Sequence, residues 1–222
     1  MINVAIDGPS GAGKSSIARF VSSKLGFLYI DTGAMFRSLA WNAIQNGIDI
    51  SNDSEGLRSM LKNTELSVKI IDGLQHMILN GNDITHLIRT PEVSKAASDI
   101  AVICFVREWI LNLERKLASE NNCIMDGRDI GTAVLPNADV KIFLTASAEA
   151  RAERRLLELR QKGIDISFDD VVADMKYRDE QDSNRASAPL RQADDAVLVD
   201  TSDKNFYESA EAVYNIIKRV AE

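Results

Sequence analysis

Gly8-Pro9-Ser10-Gly11-Ala12-Gly13-Lys14-Ser15 is the stretch on which the reading of this chain turns. It fits Gly-x-x-x-x-Gly-Lys-Ser, the phosphate-cradling P-loop pattern, and its flanks have the character that pattern requires. Before it, Ile2, Val4, Ala5 and Ile6 form an apolar run of buried-strand length. After it, Ile17, Ala18, Val21 and Leu25 recur at helical spacing, and Gly26 supplies a stop. Strand, glycine-rich turn and helix together make an anion site. The glycines let backbone N–H groups converge, and the helix N-terminus adds its positive dipole end. Gly8, Pro9, Ser10, Gly11, Ala12, Gly13, Lys14, Ser15 and Ser16 are therefore candidate contacts to a nucleoside triphosphate. Lys14 brings charge to the β- and γ-phosphates, and the Ser15 hydroxyl is placed to touch Mg²⁺. A plain glycine-rich turn with an exposed lysine would not need this strand and this helix around it.

Composition sets outer limits. A chain of 222 residues, 45% hydrophobic and 27% charged, can bury one full core with a small insertion. A net charge of −7 gives no global attraction for nucleic acid or anionic lipid. No apolar run approaches membrane-spanning length and a core strand begins almost at once, so a soluble cytoplasmic protein without signal or anchor is expected. Cys104 and Cys123 have no Cys-x-x-Cys spacing and read as buried, reduced thiols rather than metal ligands.

Outward from the loop, Phe27-Leu28-Tyr29-Ile30 reads as a second strand and is followed by a helix with Met35, Leu39, Ala43 and Ile44 inward, closing near Gly47. Arg37 falls in its first turns, at the carboxyl end of a strand, where open α/β sheets bind ligands. A short helix over 54–63 precedes an alternating stretch, Leu66 to Ile70, then an Asp72-Gly73 turn and Met77-Ile78-Leu79 with Asn80-Gly81. That is a β-hairpin insertion carrying both histidines, His76 and His86, neither of which is given a role. From Pro91 a helical run extends to about Glu120, with Ile100, Ile103, Cys104, Ile110 and Leu111 on one broad face and Arg107 amid them. An arginine there needs a structural ion pair or a ligand, because an unpaired buried charge is costly.

Cys123-Ile124-Met125 is a buried strand ending in Asp126-Gly127-Arg128-Asp129, and Val140 to Leu144 is another. The helix that follows, ending at Lys162-Gly163, places Arg151, Arg154 and Arg155 on one face, either as an arm closing over phosphates or as a solvated basic face. Arg178, Asp182 and Arg185 lie close together on the next helix and by themselves read as an ordinary ion-pair ladder. A last strand, Ala196 to Asp200, leads to a helix with Phe206, Ala210, Val213, Ile217 and Val220 inward. The βαβ alternation gives a parallel sheet of five short strands between helical layers, with an expected order of 2-3-1-4-5. Asn-Lys-x-Asp and a core Asp-x-x-Gly, the marks of a GTPase, are absent, and Gly127 stands where a motor ATPase has its catalytic glutamate. A small domain with insertions rich in arginine and aspartate suits a kinase, which must hold its acceptor and exclude water.

The segments Ile6 to Lys14, Asp31 to Arg37, Ile88 to Val93, Val106-Arg107, Asp126 to Thr132, Arg178-Asp179 and Asn184-Arg185-Ala186 run through nearly the whole length. In them the chain resembles the bacterial-type cytidylate kinases (CMP/dCMP kinases) of the P-loop nucleoside monophosphate kinase superfamily. The resemblance implies a single α/β domain, a three-layer sandwich. Its core is about 1–30, 100–146 and 186–222, its NMP-binding insertion with the hairpin about 31–99, and its helical lid about 147–185. It implies phosphoryl transfer from ATP to CMP or dCMP with Mg²⁺. Chains of this size are often monomeric, and with the net charge of −7 a monomer without a nucleic-acid or membrane partner is expected. Carried over residue by residue, Ser10, Arg37 and Arg128 would hold the acceptor phosphate. Ser98, Arg107, Asp129 and Arg185 would meet the cytosine edge, and Arg178 and Asp182 the sugar hydroxyls. Lys14, Arg128, Arg154 and Arg155 would neutralise the transferring group. Thr32 stands where serine is common and keeps the hydroxyl, and Lys14-Ser15-Ser16 stands where some relatives have Gly-Thr. Other readings are a kinase for a different small acceptor such as UMP or AMP, and a nucleotide-binding regulator without turnover.

Overall fold

The computed structural model describes residues 1–161 and 163–221; the predicted helix end at Lys162 lies outside the described residues. The chain runs β1 (Asn3–Asp7), α1 (Lys14–Leu25), β2 (Leu28–Asp31), α2 (Thr32–Gln45), α3 (Ser54–Lys62), β3 (Leu66–Ile71), β4 (Leu74–Leu79) and β5 (Asn82–Asp83). It continues with α4 (Pro91–Ile100), α5 (Cys104–Glu120), β6 (Cys123–Gly127), a π-helical turn at Ile130–Val134, β7 (Val140–Thr145), α6 (Ala148–Gln161), α7 (Phe168–Asn184), β8 (Val197–Asp200) and α8 (Phe206–Ala221).

The large sheet is parallel, in the order β2-β6-β1-β7-β8, which in core strands alone is the expected 2-3-1-4-5. Alternate residues of each strand face opposite helical layers. Ala5, Ile30 and Met125 pack on Met35 and Leu39 of α2 and Ile110 of α5. Val4, Ile6, Ile124 and Ile142 pack on Ile17 and Val21 of α1 and Val213 and Ile217 of α8. Being covered on both faces is why these strands read as near-continuous apolar runs. Their carboxyl ends bring Asp7, Asp31 and Asp126 to one edge of the sheet, and the site forms there.

The insertion is a three-stranded antiparallel sheet, β3-β4-β5. Its first turn forms because Asp72 and Gly73 both adopt positive φ, 52° and 74°, the backbone a two-residue hairpin needs. A separate small core of Ala152, Leu159, Val171 and Met175 joins α6 to α7. Among the described residues no helix is long and apolar enough to cross a membrane.

Three local expectations are corrected. The helical run over 91–120 is two helices, broken at residues 101–103. Arg107 Nη1 donates to the Ala101 carbonyl at 3.1 Å, so a side chain from the second helix takes up an acceptor at the end of the first. With two axes the single apolar face does not hold: Cys104 is exposed, while Cys123 is buried as expected. On α8, Ala210, Val213 and Ile217 are buried, but Phe206 and Val220, one at each end of the stripe, are exposed.

Candidate active site

The P-loop backbone leaves no room for side chains at two points. Gly8 has φ 147°, and a Cβ there would fall 1.9 Å from the Leu144 carbonyl oxygen. Gly11 has φ 74°, and a Cβ there would meet Met175 Cε at 2.9 Å and Arg151 Cβ at 3.2 Å. Gly13 caps α1 in a left-handed conformation with no side-chain hydrogen bond, which leaves the helix's first N–H groups for an anion.

Behind the loop sits a buried set of acids and donors. Lys14 is 5% exposed, and its Nζ donates to the Pro9 carbonyl at 2.7 Å. Burial, with the Arg128 guanidinium nearby, pushes its pKa down to about 7. Asp126 accepts from Ser15 Oγ at 2.7 Å on one oxygen and from Tyr29 OH at 2.9 Å on the other. Burial, reinforced by Asp31, raises the Asp126 pKa. Asp7 accepts from the backbone N–H groups of Ile130 and Gly131, both at 2.7 Å, and so fixes the turn that follows Asp126-Gly127-Arg128-Asp129. Burial pushes the Asp7 carboxyl up to about 6.

Across the cleft the predicted arginines each have a carboxylate or carbonyl partner. Arg37 Nη2 donates to Asp31 Oδ2 at 2.8 Å, and Arg89 approaches the same oxygen at 3.8 Å. Asp31 in turn caps α2, accepting from Ala34 N, and the two arginines with these hydrogen bonds outweigh burial and lower its pKa. Arg128 Nε donates to Asp182 Oδ2 at 2.6 Å. Asp129, 5% exposed, is bracketed, with Arg107 on one oxygen and Arg185 Nη2 on the other at 2.7 Å. Arg178 pairs with Asp174 at 3.2 Å, so of the expected Arg178–Asp182–Arg185 ladder only the Asp182–Arg185 rung forms, at 3.8 Å, and both residues also reach the Arg128-Asp129 loop. The Ser98 hydroxyl donates to the Ser94 carbonyl at 3.4 Å, and the Thr32 hydroxyl to the Asp126 carbonyl at 2.8 Å.

The three lid arginines do not form one open basic face. Arg151 is buried against the P-loop, Arg154 Nη2 donates to the Thr201 carbonyl at 2.6 Å, and Arg155 pairs with Glu158 at 2.9 Å. One cleft of about 900 Å³ gathers the candidates: except for Gly8, Pro9 and Arg151, every candidate site residue named from the sequence lines it. It also takes in Arg89, which falls in the Ile88 to Val93 segment without a role given to it, and Arg19, Lys204, Asn205 and Phe206, for which no site motif gave a sign. Asp7 and Tyr29 were likewise passed over; an acid ending the strand before a P-loop, and an aromatic in a buried run facing that strand's neighbour, were the available hints.

A P-loop at the carboxyl edge of a five-stranded parallel sheet, facing a bank of oriented arginines across one cleft, defines a P-loop kinase. The cytidylate kinase family model matches residues 4–219. A cytidylate kinase of Caldicellulosiruptor bescii is 46% identical over 219 residues, covering 99% of this chain and 96% of the relative. One from Shouchella clausii is 47% identical over 216 residues, covering 97% and 96%. The chain belongs to the cytidylate kinase family. Among solved structures, an uncharacterized protein from Eubacterium ventriosum aligns with a TM-score of 0.56 at 10% identity, covering 98% of this chain and 99% of that one, a likeness of fold alone.

Proposed function

We propose that this chain transfers the γ-phosphoryl group of ATP to CMP or dCMP, giving ADP and CDP or dCDP. The observation that carries the reading is the joining of two recognition elements in one cleft. Its floor is the P-loop with Lys14, and it also holds a buried carboxylate, Asp129, set between Arg107 and Arg185. Cytosine offers a 4-amino donor beside N3 and O2 acceptors. Asp129 and Ser98 would accept from the amino group, while Arg107 and Arg185 donate to the ring. Uracil presents O4 in place of the amino group and sets an acceptor against an acceptor, a mispairing of about 1–3 kcal/mol.

In the transfer, an oxygen of the acceptor phosphate forms a bond to the γ-phosphorus, the bond to the β,γ-bridging oxygen breaks, and ADP leaves with that electron pair. A phosphate monoester has its second pKa near 6, so the attacking oxygen is already anionic at neutral pH and no general base is needed. The work left is to bring two anions together in line and neutralise the charge between them. Ser10, Arg37 and Arg128 would hold the acceptor phosphate, Arg178 and Asp182 the sugar, and Lys14, Arg128, Arg154 and Arg155 the transferring group. The Lys14 ammonium needs only to leave the Pro9 carbonyl to reach a phosphate, which would also restore its charge against burial.

The residues fit Mg²⁺ carried in with the nucleotide. Ser15 and Asp126 set hard oxygens at the cleft floor, and among the described residues no group of three or more His, Cys, Asp or Glu could hold an ion by itself. Ser15 would be its direct ligand, and when bound it neutralises charge on the β- and γ-phosphates. The insertion over 31–99 and the lid over 147–185 would close on the core and exclude water. On this reading the enzyme is a cytoplasmic monomer without nucleic-acid or membrane partners, in keeping with its net charge of −7.

The test is ADP release with ATP and Mg²⁺, offering CMP, dCMP, UMP, AMP and GMP in turn. Turnover confined to CMP and dCMP is expected. Preference for another monophosphate would keep the kinase and discard the base contacts. No turnover with any of the five, in a protein that binds ATP, would leave a nucleotide-binding regulator.

A further inference from the structure

The P-loop is held from behind at two successive carbonyls, and only one of the two holders belongs to the machinery above. Lys14 takes the Pro9 carbonyl; Arg151 takes the next, with Nη1 donating to Ser10 O at 2.9 Å. Arg151 sits in the first turn of α6 and is 8% exposed, with Nε on the Ala146 carbonyl at 3.1 Å, so its guanidinium has little freedom. The same Nη1 donates to Asp179 Oδ2 on α7 at 2.7 Å. Asp179 Oδ1 is buried and has no hydrogen-bond partner. A buried acceptor left unpaired is costly, so surface packing alone does not explain this carboxylate.

The neighbours of Asp179 on α7 give it a direction. Met175, one turn earlier, lies where a Gly11 side chain would otherwise be. Asp182, one turn later, holds Arg128, and Arg185 beyond it holds Asp129. The second half of α7, with the Arg185 that caps it, thus touches the P-loop on one turn and the acceptor loop on the next, and the Arg151–Asp179 pair is its polar attachment to the P-loop backbone.

We propose that Arg151 and Asp179 are a positioning pair that ties the Ser10 peptide to α7, so that a nucleotide seated on the P-loop sets the Arg128 and Asp129 contacts for the acceptor. The proposal rests on the kinase reading above. Binding at the P-loop adjusts the Ser10 peptide, Arg151 passes the adjustment to Asp179, and α7 carries it to Asp182 and Arg185. Donor and acceptor affinities are then linked, each improving the other by the same factor.

The experiment is calorimetric titration of CMP, alone and with a saturating non-hydrolysable ATP analogue and Mg²⁺, for the parent, Asp179→Asn, Arg151→Met and Arg151→Lys. The parent should bind CMP at least fivefold more tightly with the analogue present. In Asp179→Asn and Arg151→Met that ratio should fall to within twofold of one, while the Kd for CMP alone moves less than about threefold; Arg151→Lys should recover part of the ratio. Asn keeps the shape of Asp, so Asp179→Asn decides the matter if Arg151→Met does not fold. An unchanged ratio in Asp179→Asn overturns the proposal, as does a ratio of one in the parent. A large loss of CMP affinity with the ratio intact also overturns it, since that is the mark of a merely structural pair. Failure of the parent to bind CMP at all would instead strike at the kinase reading, and the monophosphate panel reports that separately.

Discussion

Glu114 gives the sharpest test of the electrostatics behind the site. It lies on α5, is 3% exposed, and its carboxyl is pushed from 4.5 up to about 8, first by burial and then by the Asp129 charge, against the pull of Arg107 and Arg115. The folded protein therefore keeps this proton over a range in which the unfolded chain has released it. Stability linked to Glu114 is fully present below about pH 4.5, declines as pH rises, and is lost once pH passes about 8. Each pH unit between the two pKa values is worth about 1.4 kcal/mol, which sets a ceiling of roughly 5 kcal/mol on the difference. Glu114→Gln keeps the shape and neutrality of the protonated acid and removes the titration. Urea unfolding of parent and variant at pH 5, 7 and 9 reads the effect, and other titrating groups cancel in the comparison. The two proteins should differ least at pH 5, by less than about 1 kcal/mol. By pH 9 the variant should be more stable by at least about 1.5 kcal/mol, or roughly 3–6 °C in Tm for a chain of this size. A difference constant across all three pH values, or a variant that falls further behind as pH rises, would refute the argument that Glu114 is held neutral.

Three further outcomes follow from the site. Lys14→Ala should lower kcat by at least about a hundredfold, the scale of losing one preorganised charge contact in the transition state; steady-state kinetics with CMP check it, and near-normal kcat removes the P-loop role. Asp129→Ala should raise the KM for CMP by tenfold or more and leave the KM for ATP within about threefold, because it frees Arg107 and Arg185 from their shared carboxylate; equal losses for both substrates would argue against base reading. Gly8→Ala should cost about 3 kcal/mol or more, measured by urea unfolding, since a Cβ would sit 1.9 Å from the Leu144 carbonyl oxygen, backbone that cannot swing aside.

The parts of the fold that were legible are those in which neighbouring residues carry the instruction. Gly8 to Ser15 dictates a strand before it and a helix after it, because only that arrangement puts backbone N–H groups and a helix N-terminus around one anion. Asp72-Gly73 announces its hairpin through the positive φ both residues adopt. The break between α4 and α5 was not legible, since Ala101-Val102-Ile103 holds neither glycine nor proline and the guanidinium that takes up the Ala101 carbonyl comes from Arg107. The arginines of the site could be read one by one, at strand ends and on helix faces, but their partners could not. Asp182 meets Arg128 and Asp179 meets Arg151 from 54 and 28 positions away. For the same reason Arg151, Arg154 and Arg155, adjacent on a helical wheel, turn out to have three unrelated partners.

The partners also explain how so many cations stay in place in one cleft. Arg37 rests on Asp31, Arg128 on Asp182, Arg107 and Arg185 on Asp129, and Lys14 on the Pro9 carbonyl. Each group is already oriented, so an arriving phosphate exchanges one oxygen partner for another and need not gather flexible side chains from water. An exchange of that kind gives orientation and specificity more readily than affinity, because the bond gained resembles the bond released. Net affinity should come instead from donors that have nothing to give up. Among the described residues two buried side-chain N–H groups lack a partner, Arg37 Nε and Arg178 Nε, and both arginines line the cleft. An unmet buried donor costs about 1–3 kcal/mol, and an oxygen that reaches it recovers that amount in addition to the new bond. In the proposed function Arg37 would meet the acceptor's phosphate and Arg178 its sugar. On the proposed assignment, acceptor affinity would be concentrated at the two parts every nucleoside monophosphate shares, leaving the choice of base to the bracketed carboxylate of Asp129.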